Sequence, residues 1–187
     1  NRAVAMQYGT CESQFAIEDI IDTYCKAIKN NDNLNHSLYT NYLLSQLYID
    51  ILDMSKAQEL INSILSKNVT KKIEFACKDL LSKIWISQIS IPYDQIFLEK
   101  IKNILWECLE YFESENKEVE SAMILLDAGY VATISNSFSE ALGYINRAIL
   151  IFTKEKLDSL IAQANLIKGN LLQTWGQNGN PQFFRSA

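Results

Sequence analysis

Residues that interrupt helices are scarce in this chain. Its 187 residues include only two prolines and six glycines, and helix-forming leucine, isoleucine, alanine, lysine and glutamate are abundant. Proline cannot continue a helix and glycine weakens one, so a chain poor in both is expected to form long helices. The composition therefore argues against a strand-rich fold and predicts an all-α protein.

Long apolar runs and a strong charge of one sign are also absent. Lysine, aspartate or glutamate interrupts every apolar stretch before it reaches the roughly 18 residues that a membrane span needs. The net charge is -5, with both signs interspersed, so the basic surface expected of a nucleic-acid binder is missing. We expect no membrane span and no direct nucleic-acid contact.

The residue patterns that carry catalysis or hold a metal are missing as well. There is no phosphate-binding glycine loop, nucleophile elbow or metal-ligand spacing. The only histidine, His36, lies at a predicted helix start, where a capping or surface role is expected. Paired carboxylates such as Glu118 and Glu120 are typical of a solvated face or a first helical turn. We predict no enzymatic activity, no cofactor and no metal.

Four cysteines lie far apart and form no C-x-x-C pair: Cys11, Cys25, Cys77 and Cys108. Each sits within an apolar helical pattern, which favours reduced core thiols over disulfides or metal ligands. Asn68 begins a glycosylation sequon, but it also makes an ordinary helix start, and no secretory signal is in view. These features predict a cytoplasmic, intracellular protein.

The stretch 118–152 shows the organisation most clearly. Val119–Ile134 is rich in helix formers with one central glycine, Gly129, and the small polar turn 135–137 follows it. The next helix places apolar residues at alternating spacings of three and four, the stripe of a surface helix. Those residues are Phe138, Ala141, Ile145, Ala148 and Phe152.

This helix pair resembles a tetratricopeptide repeat. That family has a small residue near the middle of its first helix, an aromatic residue at the turn, and two alanines seven residues apart in its second helix. Gly129, Phe138, Ala141 and Ala148 occupy those places. The resemblance implies an α-solenoid, a right-handed superhelix of about four helix-turn-helix pairs whose first helices line a concave groove.

The spacing recurs along the chain with a period near 41 residues. Met54 and Ala57 repeat the turn spacing, and Gly169 follows Gly129 by 40 residues. The chain begins without methionine and ends inside an apparent helix start, so we expect residues 1–187 to be a single repeat domain within a longer protein. Further helices are predicted at residues 12–29, 35–52, 56–66, 70–88, 93–112 and 157–175. The helix at 93–112 is predicted to carry Ile96 and Phe97 on its apolar face.

The resemblance also implies which side chains face the groove, counted from the central small residues Ser45, Ser82, Gly129 and Gly169. The predicted binding residues are Tyr39, Tyr42, Gln46, Asp50, Asp79, Lys83, Tyr130, Thr133, Asn170 and Gln173. Amides and tyrosines of this kind suit an extended peptide backbone. A solvent-exposed face would also be polar, so an inert surface is the alternative. The three tryptophans are expected in the core, with exposure considered only for Trp175.

The leading functional hypothesis is a scaffold that binds a protein or peptide partner in this groove, and self-association as a homo-oligomer is also considered. One alternative is the peptide-sensing part of a bacterial transcriptional regulator, which would carry a DNA-binding helix-turn-helix ahead of the repeats. Another is the accessory arm of an enzyme whose catalytic domain lies outside this chain.

Overall fold

A computed structural model describes Lys26 and residues 34–90 and 92–177. These residues form seven α-helices and no strand, which confirms the predicted all-α class for this part of the chain. The helices are α1 (Leu34–Asp50), α2 (Met54–Leu65), α3 (Lys71–Ser87), α4 (Gln95–Ser114), α5 (Glu118–Ile134), α6 (Phe138–Lys154) and α7 (Asp158–Gln177). Among the described residues, no helix is long and apolar enough to cross a membrane.

The contacts divide the chain into two compact units, residues 1–84 (unit 1) and 85–187 (unit 2). Unit 1 holds α1, α2 and most of α3, and unit 2 begins at the last turn of α3 and contains α4 to α7. The single repeat domain expected from the sequence stays a prediction.

Unit 1 is built on the packing of α1 against α2. Leu44 is buried in α1 and has partly buried apolar neighbours in Leu47, Tyr48, Ile51 and Leu60. The amphipathic face of α2 is fully buried at Ala57, Ile61 and Ile64. These residues form the packed faces of the pair.

Unit 2 is built from successive helices that each pack on the next, with α5 also touching α7. Between α5 and α6 the packing is closest at Gly129, where an added Cβ would lie 2.7 Å from Cγ1 of Ile145 and 3.4 Å from the carbonyl oxygen of Ala141. Only a residue without a side chain allows this approach. In α6, Ala141, Ile145, Ala148 and Phe152 are all fully buried, as the predicted stripe required.

One turn geometry joins four of the helix pairs. The second residue after each helix is left-handed, with φ between 54° and 62°, at Leu52, Asn116, Asn136 and Lys156. The following amide donates to a carbonyl in the last turn of the preceding helix, for example Ser137 N–H to Ala132 at 2.9 Å. This is the Schellman ending of a helix. The last three of these residues are spaced by 20 residues, so a helix pair repeats every 40 in this region.

At each of these turns one residue serves both helices. The carbonyls of Asp53, Lys117, Ser137 and Leu157 accept the first hydrogen bond of the next helix, while their amides bond to the helix before. The Asp53 carboxylate also accepts a hydrogen bond from the Lys56 amide at 3.2 Å and so caps α2. The same residue thus hydrogen-bonds to both the preceding helix and the following one.

Two expectations for α4 are wrong. Ile96 was expected on the apolar face but is 82% exposed. It lies in the first turn, where its amide donates to the Asp94 cap at 2.8 Å, and the next residue, Phe97, packs against Trp85 instead. Trp106 is 49% exposed, because its neighbour Leu105 takes the buried position on the helix.

The other aromatic and cysteine expectations can be followed in part. Trp85 is buried as expected, and Trp175 stacks on Phe138 with ring centroids 5.7 Å apart. Cys77 and Cys108 are buried, reduced thiols, as predicted. Cys11, Cys25, the helix at 12–29 and the chain end at 184–187 lie outside the described residues, as does the side chain of His36.

Candidate functional site

The ten predicted binding residues fall into two sets, one in each compact unit. Six lie on α1 and α3 in unit 1, and four lie on α5 and α7 in unit 2. The unit 1 set is Tyr39, Tyr42, Gln46, Asp50, Asp79 and Lys83. The unit 2 set is Tyr130, Thr133, Asn170 and Gln173. Each set is described by itself.

Two short polar pairs with the same local pattern form the centre of the unit 1 set. On α1, the Gln46 amide donates to the Tyr42 phenol oxygen at 3.3 Å. On α3, the Lys83 ammonium donates to Oδ2 of Asp79 at 2.8 Å. In both helices the two side chains are four residues apart, which places them on one face.

A fully buried serine lies in the same turn of each of these helices. Ser45 donates to the Tyr42 carbonyl and Ser82 donates to the Asp79 carbonyl, each at 2.7 Å. Because each hydroxyl bonds within its own helix, it needs no partner from a neighbouring helix. Ser45 and Ser82 thus take the small, buried position that the repeat pattern assigns to them.

The charges show that the two pairs are neighbours. Burial raises the pKa of the Tyr42 phenol to about 12, and the Asp79 carboxylate, Cys77 and Tyr39 add to the rise. An acid is harder to ionise when it is removed from water and lies near a negative charge. Tyr42 therefore stays a neutral hydrogen-bond donor at physiological pH, and the negative charge of Asp79 contributes to this.

Asp79 has unused hydrogen-bonding capacity. Its Oδ2 atom is paired with Lys83, whereas its Oδ1 atom is buried and has no hydrogen-bond partner among the described residues. A buried acceptor without a donor is costly, by roughly 1–3 kcal/mol. A bound backbone amide or a water molecule at this position would supply the missing donor.

Tyr39 and Asp50 extend this face along α1 in both directions. Tyr39 is 60% exposed, and Asp50 is exposed at the last residue of the helix. The structure therefore pairs Tyr42 with Gln46 on α1 and Asp79 with Lys83 on α3, with Asp79 close enough to Tyr42 to affect the pKa of its phenol, and places Asp50 four residues beyond Gln46.

The unit 2 set is more loosely arranged. Tyr130 is 45% exposed on α5, and Asn170 and Gln173 are exposed on α7. The Thr133 hydroxyl is already used, because it donates to the Gly129 carbonyl at 2.8 Å. These four side chains lie on two helices that touch, but none bonds to another among the described contacts. They offer separate polar groups on an open surface.

A recess that the sequence did not predict lies between α4, α5 and α6. It has a volume of about 70 Å³ and an apolar lining that includes the buried Ala132. The rings of Trp106 and Tyr144 meet at 84° with centroids 6.0 Å apart. The Tyr144 phenol donates to Oε1 of Glu140 at 2.5 Å. The only sequence signal for it was the position of Trp106 beside Leu105, off the buried stripe.

In the described part of the chain, no group of three or more histidine, cysteine, aspartate or glutamate side chains comes together. The polar groups of both sets act instead as hydrogen-bond donors and acceptors. No family model, curated protein or solved structure matches the chain.

Proposed function

We propose that this chain is a non-catalytic binding module, a right-handed superhelix of helical repeats resembling tetratricopeptide arrays, that holds a peptide or partner protein in its groove. The observation that carries the proposal is the cluster of Tyr42, Gln46, Asp79 and Lys83 on α1 and α3, which we call the unit 1 face. It combines a neutral phenol, an amide, a carboxylate and an ammonium group.

The chemistry of the unit 1 face suits an extended backbone. An amide side chain both donates and accepts, so Gln46 matches the alternating groups of a peptide. The Oδ1 atom of Asp79 is buried without a donor, so a side-chain movement that uncovers it on binding would let it accept one backbone amide and remove an unsatisfied acceptor. Tyr39 and Tyr42 add aromatic area at low entropic cost. The alternative, that these groups form an inert solvent-exposed surface, requires a water molecule to donate a hydrogen bond to Oδ1 of Asp79.

The repeated turn supports the superhelical arrangement. In tetratricopeptide arrays, identical helix pairs stack so that each contacts its neighbours. Here the same Schellman turn recurs every 20 residues from Asn116 to Lys156. A constant turn sets a constant angle between successive helices, and a constant angle repeated along a chain generates a superhelix.

Binding is tested by titrating the purified protein with a peptide library and comparing the wild type with a Gln46→Ala, Lys83→Ala double variant. We expect the double variant to weaken binding at least tenfold, or about 1.4 kcal/mol, with unchanged helicity. The matched control is Asn62→Ala, Lys67→Ala, which removes the same two groups from unit 1 outside α1 and α3.

An equal loss in both double variants would mean that the effect is not specific to the unit 1 face. Full binding by the Gln46→Ala, Lys83→Ala protein would contradict the proposed site. An Asn170→Ala variant, measured in the same titration, reports whether unit 2 contributes to the same ligand.

A further inference from the structure

We infer that the recess between α4, α5 and α6 is a binding site for the guanidinium group of an arginine side chain presented by a partner protein. This inference does not rest on the proposed function, because the recess lies wholly in unit 2 and shares no residue with the ten predicted binding positions.

The aromatic pair supplies the surface on which such a group would stack. Trp106 is half exposed, and Tyr144 meets it nearly at a right angle, so the two rings form an open corner. A planar cation is attracted to the face of an indole, and arginine is the side chain found most often in this arrangement.

Glu140 supplies the negative charge. Its Oε1 atom accepts the Tyr144 hydroxyl, and this bond fixes the carboxylate beside the aromatic corner. Its Oε2 atom has no hydrogen-bond partner among the described residues and remains available. Carboxylate and guanidinium form charge-assisted hydrogen bonds, which are stronger than neutral ones.

Among the described residues, the one cation that lines the recess is Lys102, which is already paired. Lys102 donates to Oε1 of Glu99 on its own helix at 3.0 Å. Further along the same two helices, Arg147 of α6 bonds to Glu113 of α4 at 2.6 Å. The order of these contacts, Trp106 with Tyr144 and then Glu113 with Arg147, shows that α4 and α6 run in the same direction. A partner's arginine bound between α4 and α6 would thus pair with a carboxylate there, as Arg147 already pairs with Glu113.

The size of the recess limits what enters it. A volume of about 70 Å³ holds the end of one side chain and not a whole drug-sized ligand, for which pockets of roughly 300 Å³ or more are usual. The buried apolar lining, with Ala132 at its base, suits the methylene stem behind the guanidinium. The site therefore binds one side chain of a partner and not an extended segment.

The test is a titration of the full chain with the peptide acetyl-Gly-Arg-Gly-amide, followed by the indole N–H signals of the three tryptophans in a ¹H–¹⁵N spectrum. The Trp106 signal is assigned by its loss in Trp106→Phe. Matched peptides carry citrulline, a neutral analogue of the same shape, or lysine. We expect the arginine peptide to shift the Trp106 signal saturably, and the citrulline and lysine peptides to bind at least about fivefold more weakly.

Two variants locate the site. Glu140→Gln is expected to weaken arginine binding by about fivefold or more, since it removes the charge and keeps the shape. Glu110→Gln, an exposed change on α4 outside the recess, is expected to leave binding unchanged. The inference is overturned if no saturable shift of Trp106 occurs, if citrulline or lysine binds as well as arginine, or if Glu140→Gln binds as tightly as the wild type.

Discussion

The helix pairs α1–α2 and α5–α6 use the same turn but differ in how closely their helices approach. Leu52 and Asn136 have nearly the same left-handed φ, 62° and 58°. The central small residue is Ser45 in the first pair and Gly129 in the second. The first pair accommodates a Cβ and a hydroxyl at this position, whereas in the second an added Cβ would lie 2.7 Å from Ile145. The same backbone turn therefore does not fix the distance between two helices, because the residues at their crossing set it.

The largest expected effect is at Gly129. Gly129→Ala should destabilise the protein by about 1–3 kcal/mol, because the new methyl group overlaps Ile145 and neither helix can shift without disturbing the core. Chemical denaturation measures the change. Ser45→Ala, at the equivalent position of the other pair, should stay within about 1 kcal/mol of the wild type, since a Cβ is already accommodated there.

Two further variants test the reason given for Gly129. Gly143→Ala lies on α6, where an added Cβ would meet no described atom outside its own stretch of helix within 4 Å, and it should stabilise by about 0.5–1 kcal/mol through helix propensity. Adding Ile145→Ala to Gly129→Ala should cost less than the sum of the two single changes. Strict additivity would show that contact with Ile145 is not the cause.

The next effect is a loss of stability at alkaline pH that arises in unit 1. Burial raises the pKa of the Cys77 thiol from 9.0 to about 11. The folded state favours the protonated thiol, so its contribution is complete below pH 9 and is lost as the pH rises to about 11. Urea midpoints of the wild type should fall across this window, and those of Cys77→Ala should fall less.

Tyr42 extends the same effect to higher pH. Its pKa rises from 10.0 to about 12, so its contribution is lost between those values. Tyr42→Phe should flatten this upper part of the curve while leaving the part that belongs to Cys77. Identical pH profiles for the wild type, Cys77→Ala and Tyr42→Phe would contradict the assignment of both groups.

The smallest effect is at the turns themselves. Leu52 is 78% exposed and left-handed, a conformation that costs a branched side chain about 1 kcal/mol relative to glycine. Leu52→Gly should therefore raise stability by up to about 1 kcal/mol, whereas Asn136→Gly should change it little, because asparagine tolerates this conformation. Thermal unfolding measures both, and equal effects at the two turns would remove the distinction between them.

Much of the fold was predictable because the signals are local. Asn30–Asn33, Asp53 and the segment 114–118 punctuate an otherwise helix-forming chain, so the seven helices begin and end within a few residues of the predicted positions. The buried stripe on α6 followed from spacing alone. No sequence signal predicts that Leu52 is left-handed, since that conformation is imposed by the two helices it joins and not preferred by leucine.

The candidate site was predictable only in part. The positions of Tyr42 and Asp79 relative to Ser45 and Ser82 predict that both face the groove, and in the structure Asp79 lies close enough to Tyr42 to raise the pKa of its phenol. Gly129 and Gly169 read alike in sequence, but among the described residues only Gly129 meets a neighbouring helix within 4 Å. The recess at Trp106 depends on contact between α4 and α6, which are separated in the chain by α5. The spacing of residues within one helix carries no information about such a contact.

The shared residue at each turn has a consequence for local opening. The amides of Asp53, Lys117, Ser137 and Leu157 are held by the preceding helix, and their carbonyls hold the next one. Fraying normally starts at helix ends, where backbone groups lack partners. Here the end of one helix cannot loosen without releasing the start of the next, so hydrogen exchange at these four amides should require the opening of two helices together.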